Sequence, residues 1–217
     1  MPNRRVLLAD ASALAHSALV QIITLADDLD LIAETHSIQD ALSVAQVHCP
    51  DVVVFDHCLP DGSGFTACRQ LHAACPQTAV LILTDRDEDS YLAQAQRAGA
   101  AGFLSKASAL ESIVAAIRQA ACGQRLWTIE QLHRIDAWEE AVGQKLDSLT
   151  QRELEVLHLV AEGKTNQAIS ALLTISPKTL DKHLTALRQK LGVSSRSQLV
   201  SLFYQHHLDG WSSIPLR

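Results

Sequence analysis

The chain has 217 residues, 47% of them apolar, which suits two compact domains of about 100 residues each. It is acidic, with 18 Lys and Arg against 24 Asp and Glu. It contains no apolar run of the roughly 18 residues that a membrane span requires. Met1-Pro2-Asn3-Arg4-Arg5-Val6 lacks the long apolar stretch of a secretory leader, so a cytoplasmic protein with no membrane partner is expected. The five cysteines form no C-x-x-C pair and are expected to be reduced thiols. His72 and His206-His207 have no partners at zinc-ligand spacing, so no zinc site is expected.

From residue 5 onward, short apolar runs alternate with amphipathic stretches. The runs are Val6–Ala9, a weaker Leu29–Glu34, Val52–Phe55, Ala79–Thr84 and Ala101–Leu104. Helical patterns occupy residues 12–25, 37–48, 64–75, 89–98 and 108–121 between and after them. Continuous apolar strands joined by helices imply a parallel sheet covered on both faces. Five such units predict a flavodoxin-like α/β domain of five parallel strands, whose functional groups gather at the carboxyl ends of the strands.

Those strand ends carry a chemical pattern. Asp10 follows the first strand, Asp56 the third, Thr84 closes the fourth, and Ser105-Lys106 follow the fifth. An aspartate after a strand is ordinarily a turn former or a helix cap. Together, however, two carboxylates, a hydroxyl and a lysine on one rim supply a nucleophile, a divalent-cation ligand and two groups to hold phosphoryl oxygens.

On these residues the segment from about 4 to 121 resembles the receiver domain of response regulators. The resemblance implies Asp56 as phosphoacceptor. It implies a Mg2+ ion on Asp10, Asp56 and the backbone carbonyl of Cys58, with Thr84 and Lys106 supporting the phosphoryl group. It also implies Phe103 as the aromatic switch residue, although a core phenylalanine fits that position equally, and a signalling face on the fourth helix, fifth strand and fifth helix.

Three departures stand out. Receivers of this type usually carry two adjacent acids after the first strand, and here the second is Ala11, which removes a magnesium ligand and a negative charge. Magnesium is therefore expected to bind weakly. Asp85 follows Thr84, where the family commonly has a small residue; it either replaces part of the missing charge or is a solvated acid in the run Asp85-Arg86-Asp87-Glu88-Asp89. His57 follows the acceptor, and strand alternation predicts that its side chain points away from that of Asp56.

Cys122-Gly123-Gln124 reads as a helix stop, and a linker over residues 123–146 follows. Within it, Leu132, Ile135, Trp138 and Val142 form a stripe, predicting an amphipathic helix over 129–142 that ends at Gly143.

The final domain, residues 147–217, is predicted to be all-α. Thr150 and Glu153 form a T-x-x-E capping box, Leu154, Leu157 and Ala161 follow at helical spacing, and Gly163 stops the helix. Thr165 can cap a short second helix carrying Ile169 and Leu172, and Ser176-Pro177 opens a third. At about 100° per residue, Leu180, Leu184, Leu187 and Leu191 share one stripe of that third helix. Lys178, Asp181, Lys182, Thr185 and Gln189 lie opposite. Residues 164–196 carry six basic side chains against Asp181 alone, whereas residues 1–121 carry 7 basic against 14 acidic. Only the C-terminal part is thus suited to phosphate neutralisation.

Leu149-Thr150, Arg152-Glu153, Gly163, Ile169, Ser176-Pro177-Lys178-Thr179, His183 and Lys190-Leu191-Gly192 resemble the LuxR-type (NarL/FixJ) helix-turn-helix over about residues 147–209. The resemblance implies double-stranded DNA as partner, with base contacts from Asp181, Lys182 and Thr185. Lys164, Thr165, Asn166, Lys178, Thr179, His183 and Arg196 are then the further DNA contacts, and Lys178, His183 and Arg196 suit backbone phosphates. Asp181 stands where relatives are often basic. It either reads a base or pairs with Lys178 or Lys182.

The two modules in this order resemble a NarL/FixJ-type response regulator, which implies a sensor histidine kinase as partner and a homodimer on DNA. In the rival expectation, Ala11 has disabled the chemistry and the receiver acts through dimerisation or a bound protein or small ligand. An enzyme is not expected, since no G-x-S-x-G, H-E-x-x-H or P-loop pattern occurs.

Overall fold

The computed structural model describes residues 3–206 and Leu208, except for the side chains of residues 13–15 and 205. His207 and residues 209–217, the predicted end of the second domain, lie outside the described residues. The chain divides into two compact units, Met1–Leu132 and His133–Arg217. The boundary falls inside the predicted linker.

The first unit runs β1 (Arg4–Ala9), α1 (Ala13–Thr24), β2 (Leu29–Thr35), α2 (Ile38–His48), β3 (Val52–Asp56), β4 (Cys58–Leu59), β5 (Gly62–Ser63), α3 (Gly64–Ala74), β6 (Ala79–Thr84), α4 (Asp89–Arg97), β7 (Gly102–Ser105) and α5 (Leu110–Ala121). Its five-stranded sheet is wholly parallel, in the order β2-β1-β3-β6-β7. The order reverses at β1, and the crevice between the carboxyl ends of β1 and β3 is where ligands bind in such sheets. Val6, Leu8, Val52, Val54, Leu81 and Leu83 pack with Ile113 and Ile117 of α5 in one core layer. β4 and β5, a two-residue hairpin, were not expected.

The strand-forming runs extend as their composition suggests, since β-branched and leucine side chains covered by helices stabilise parallel strands. β2 is more polar, and its register against β1 shifts between Val6 and Leu7. Ser37 caps α2 through Asp40 N, and Asp61 adds two more acceptors, taking hydrogen bonds from Ile38 N at 2.8 Å and Gln39 N at 3.0 Å. The loop after the third strand is thereby tied to the start of α2.

The chain after α5 covers the outer edge of β7. Leu126 N donates to Ala101 O at 2.7 Å, Trp127 Nε1 to Ala100 O at 3.1 Å, and Gln131 Nε2 to Phe103 O at 3.1 Å. Helix α6 (Ile129–Trp138) begins here. The predicted stop at Gly143 does not occur. Gly143 is buried with right-handed helical dihedrals, and the chain passes through a π-helical turn (Glu139–Gly143) into α7 (Gln144–Asp147). The extra residue of a π turn shifts the helical phase. Ile135, Trp138 and Leu146 are therefore buried while Val142 is only partly so.

The second unit continues with α8 (Gln151–Ala161), α9 (Asn166–Leu172), α10 (Pro177–Leu191) and α11 (Arg196–Gln205). Thr150, Thr165 and Ser176 cap the first three of these, and the Thr150–Glu153 box is complete. Gly163 and Gly192 end helices with φ of 76° and 70°, conformations that glycine adopts without a Cβ penalty. Leu180, Leu184, Leu187 and Leu191 are all buried, as the stripe predicted. α11 was not anticipated, although its Ser195–Gln198 capping box is legible in the sequence.

All five cysteines are free. Cys68 is buried and donates to Ala98 O at 3.3 Å, and burial pushes its thiol up to about 12. Among the described residues no helix is long and apolar enough to cross a membrane.

Candidate phosphoacceptor rim and DNA-facing helix

Four elements bring Asp10, Asp56, Thr84 and Lys106 together. Asp10 leaves β1 with its amide bonded to Thr35 O at 3.2 Å, and it is 1% exposed. Asp56 closes β3. Thr84 closes β6 and pairs in register with Ser105 of β7. Lys106 N donates to Thr84 O, which starts the lysine side chain over the rim. Its Nζ lies 2.7 Å from Asp10 Oδ2 and 2.8 Å from Asp56 Oδ2. A single ammonium thus joins the two carboxylates.

The electrostatics follow from that geometry. Burial pushes the Asp56 carboxyl up, but hydrogen bonds and charge from His57 and Lys106 outweigh it and hold the group below the usual carboxylate range. Burial pulls the Lys106 ammonium down, and its bonds to Asp10 and Asp56 more than reverse this. Asp56 is therefore held in its ionised form at neutral pH.

The loop after Asp56 is held by a close approach. Gly64 N donates to His57 O at 2.9 Å, and a Cβ on Gly64 would stand 2.2 Å from Asp56 O. Only glycine fits there.

His57 corrects the expectation from strand alternation. Its ring folds back over Asp56, with Nδ1 3.0 Å from Asp56 Oδ1 and 2.9 Å from Thr84 Oγ1. The strand ends at Asp56 and the chain bends at residue 57, so the alternation that assigns faces no longer applies. Nothing in the sequence pattern marks this contact apart from the residue type.

The metal-ligand expectations divide. Asp10 and Asp56 share the rim, and Ala11 beside them is exposed. Asp85 is exposed as well, and among the described residues no hydrogen bond or ion pair joins it to Asp10 or Asp56. Among the described residues no group of three or more His, Cys, Asp or Glu side chains is arranged to hold a metal. The carboxylates of Asp10 and Asp56 are hard oxygen donors, which suits Mg2+ carrying most of its own water. Phe103 is buried on β7, with its carbonyl bound by Gln131.

In the second unit, Lys178, Asp181, Lys182 and Thr185 are exposed on one face of α10, with Thr179 and His183 half-buried beside them. Among the described residues no ion pair joins Asp181 to Lys178 or Lys182, so that alternative for Asp181 lacks support. The Thr185 hydroxyl donates to Asp181 O at 2.8 Å. Lys164, Thr165 and Asn166 are exposed at the start of α9. Arg196 is half-buried, and it donates to Asn166 Oδ1 at 3.1 Å and to Lys164 O. Arg196 thereby braces the start of α9, a role its charge alone did not reveal.

A doubly wound sheet bearing this rim, followed by a helix-turn-helix with a polar outer face carrying two lysines, defines the response regulators that bind DNA. The chain matches the response regulator receiver domain family over residues 6–118 and the bacterial regulatory proteins of the luxR family over residues 147–203. It belongs to the two-component response regulators with a LuxR-type DNA-binding domain. It is 30% identical over 205 residues to the response regulator GacA of Pseudomonas aeruginosa, covering 93% of this chain and 96% of that one. It is 28% identical to the response regulator protein VraR of Staphylococcus aureus over 204 residues, 94% of this chain and 98% of that one. The response regulator ChrA of a heme-sensing two-component system superposes with a TM-score of 0.54 at 30% identity, over 96% of this chain and 100% of that one. An RcsB–DNA complex superposes with a TM-score of 0.59 over 93% of this chain and 98% of that one; at 20% identity this likeness shows the fold.

Proposed function

We propose that Asp56 accepts a phosphoryl group from a partner histidine kinase and that this event controls a homodimer on DNA. The observation that carries the reading is Lys106 Nζ within 2.8 Å of both Asp10 and Asp56, at the rim that Thr84 closes. An Asp56 oxygen attacks the phosphorus of a phosphohistidine. The O–P bond forms as the N–P bond breaks, and the freed imidazole nitrogen takes up a proton. Lys106 is placed to neutralise the new charge, and Thr84 to donate to a phosphoryl oxygen. Asp10, Asp56 and the Cys58 carbonyl would hold magnesium, which would supply further charge neutralisation. The added charge then biases a bistable surface towards dimer formation. Lys178 and Lys182 meet DNA with Asp181 and Thr185 facing base edges.

The test is intact mass after incubation with acetyl phosphate and magnesium. Wild type should gain one phosphoryl group slowly, Ala11→Asp faster, and Asp56→Asn none. A second reading is favoured by Ala11 and by the protein donors His57, Cys58 N and Lys106 that already bond Asp56. In it the receiver works without phosphorylation, as a dimerisation module or under a protein or small ligand. Absence of label in both wild type and Ala11→Asp selects that reading.

A further inference from the structure

We propose that His57 is a positioning residue of the acceptor site: its imidazole latches Asp56 to Thr84 and has to leave before a phosphoryl group can be seated. The inference rests on the reading of Asp56 as acceptor. Nδ1 lies 3.0 Å from Asp56 Oδ1 and 2.9 Å from Thr84 Oγ1, so one ring nitrogen touches both groups. A carboxylate only accepts, so Nδ1 carries the proton of this bridge and shares it between the two oxygens. The two groups are also engaged by other donors. Arg86 N donates to Thr84 Oγ1 at 3.0 Å, Cys58 N to Asp56 Oδ1 at 3.3 Å, and Lys106 Nζ to Asp56 Oδ2 at 2.8 Å.

A phosphoryl group on Asp56 brings three oxygens and needs the Thr84 hydroxyl as a donor. The imidazole stands in the space between. It is a half-buried wedge, its side chain 14% exposed. The ring packs on Tyr91 of α4 at 5.4 Å between centroids, and Tyr91 stacks on Phe65 at 5.9 Å. Hydrogen bonds and ring contacts therefore both stabilise the latched state, and a phosphoryl group competes with them. The unphosphorylated form is held by a residue of the acceptor loop itself.

The amide nitrogen of asparagine falls where Nδ1 stands, whereas that of glutamine falls nearer Nε2, and leucine has no donor. These three substitutions separate the bridge from the bulk of the side chain. Binding of beryllofluoride with magnesium to the intact chain is read from the 19F resonance of the bound anion. His57→Leu and His57→Gln should bind about tenfold tighter than wild type, and His57→Asn within about twofold of it, as expected for loss or retention of one charge-assisted hydrogen bond. Equal affinity in all four proteins overturns the latch. Weaker binding in His57→Leu and His57→Gln also overturns it, because the imidazole would then assist the anion. No bound resonance in any protein, His57→Leu included, removes the acceptor reading and the latch with it.

Discussion

Lys190, in the last turn of α10, places its Nζ 2.7 Å from Oε2 of Glu153, the residue that completes the capping box of α8. The same oxygen accepts from Thr150 N at 2.6 Å and from Thr150 Oγ1 at 2.9 Å, and Lys190 also donates to Ser148 O at 2.8 Å. One carboxylate thus ends a backbone ladder and pins the recognition helix to its support.

Removing either partner should loosen that pin. Burial pushes the Glu153 carboxyl up, but its bonds to Lys190 and Thr150 outweigh this and hold it below the usual range. A depressed carboxyl stabilises above its unfolded value, and the contribution is lost as pH falls through the folded value. Glu153→Gln and Lys190→Met should each cost about 1–3 kcal/mol of local stability at neutral pH. Hydrogen exchange of α8 and α10 amides in the intact chain reads this, and the difference from wild type should shrink on acidification.

Gly64→Ala places a methyl against the carbonyl of the acceptor residue, at a distance no relaxed structure tolerates. The loop must move, at a cost of about 1–3 kcal/mol for an overpacked site. Denaturant unfolding of the first unit should shift accordingly, and labelling by acetyl phosphate should slow further than stability alone explains. An unshifted midpoint would show that the loop yields freely.

Asp85 points into solvent, away from any contact with Asp10 or Asp56. Asp85→Ala should therefore leave magnesium affinity within about twofold, both in the native sequence and with Ala11→Asp, giving an additive cycle. A loss confined to the native background would place the Asp85 charge in the site.

Asp181 and Lys178 stand exposed on α10. Asp181→Ala should relax preference at one base-pair position and cost about 1–3 kcal/mol on the preferred site, because a carboxylate accepts from cytosine N4. Lys178→Ala should weaken all sites alike and make the salt dependence shallower. An unchanged selected motif after Asp181→Ala ends its role as a reader.

An operator of two half-sites should bind two chains. Sedimentation of the complex tests this, and one chain on an intact palindrome would contradict it.

Local rules made much of this architecture legible. The apolar runs at Val52–Phe55 and Ala79–Thr84, the caps at Thr150, Thr165 and Ser176, and the leucine stripe of α10 each depend on near neighbours. The acid, acid, hydroxyl and lysine order was readable because parallel topology delivers every strand end to one rim. What escaped depends on tertiary context. The direction of the His57 ring is set where the strand stops, and the π turn at Gly143 is set by burial of the helix around it. The brace from Arg196 to Asn166 spans 30 residues, so no periodicity announces it.

β7 is the last strand of its sheet, and such margins ordinarily invite a strand from another molecule. Here the carbonyl of Phe103, and those of Ala100 and Ala101 just before the strand, accept from Gln131, Trp127 and Leu126. Residues 126–131 thus work as a selvedge that keeps the sheet from growing between chains. A fragment cut after Cys122 keeps every strand and loses this seal, so it should associate edge to edge more readily than the 217-residue chain.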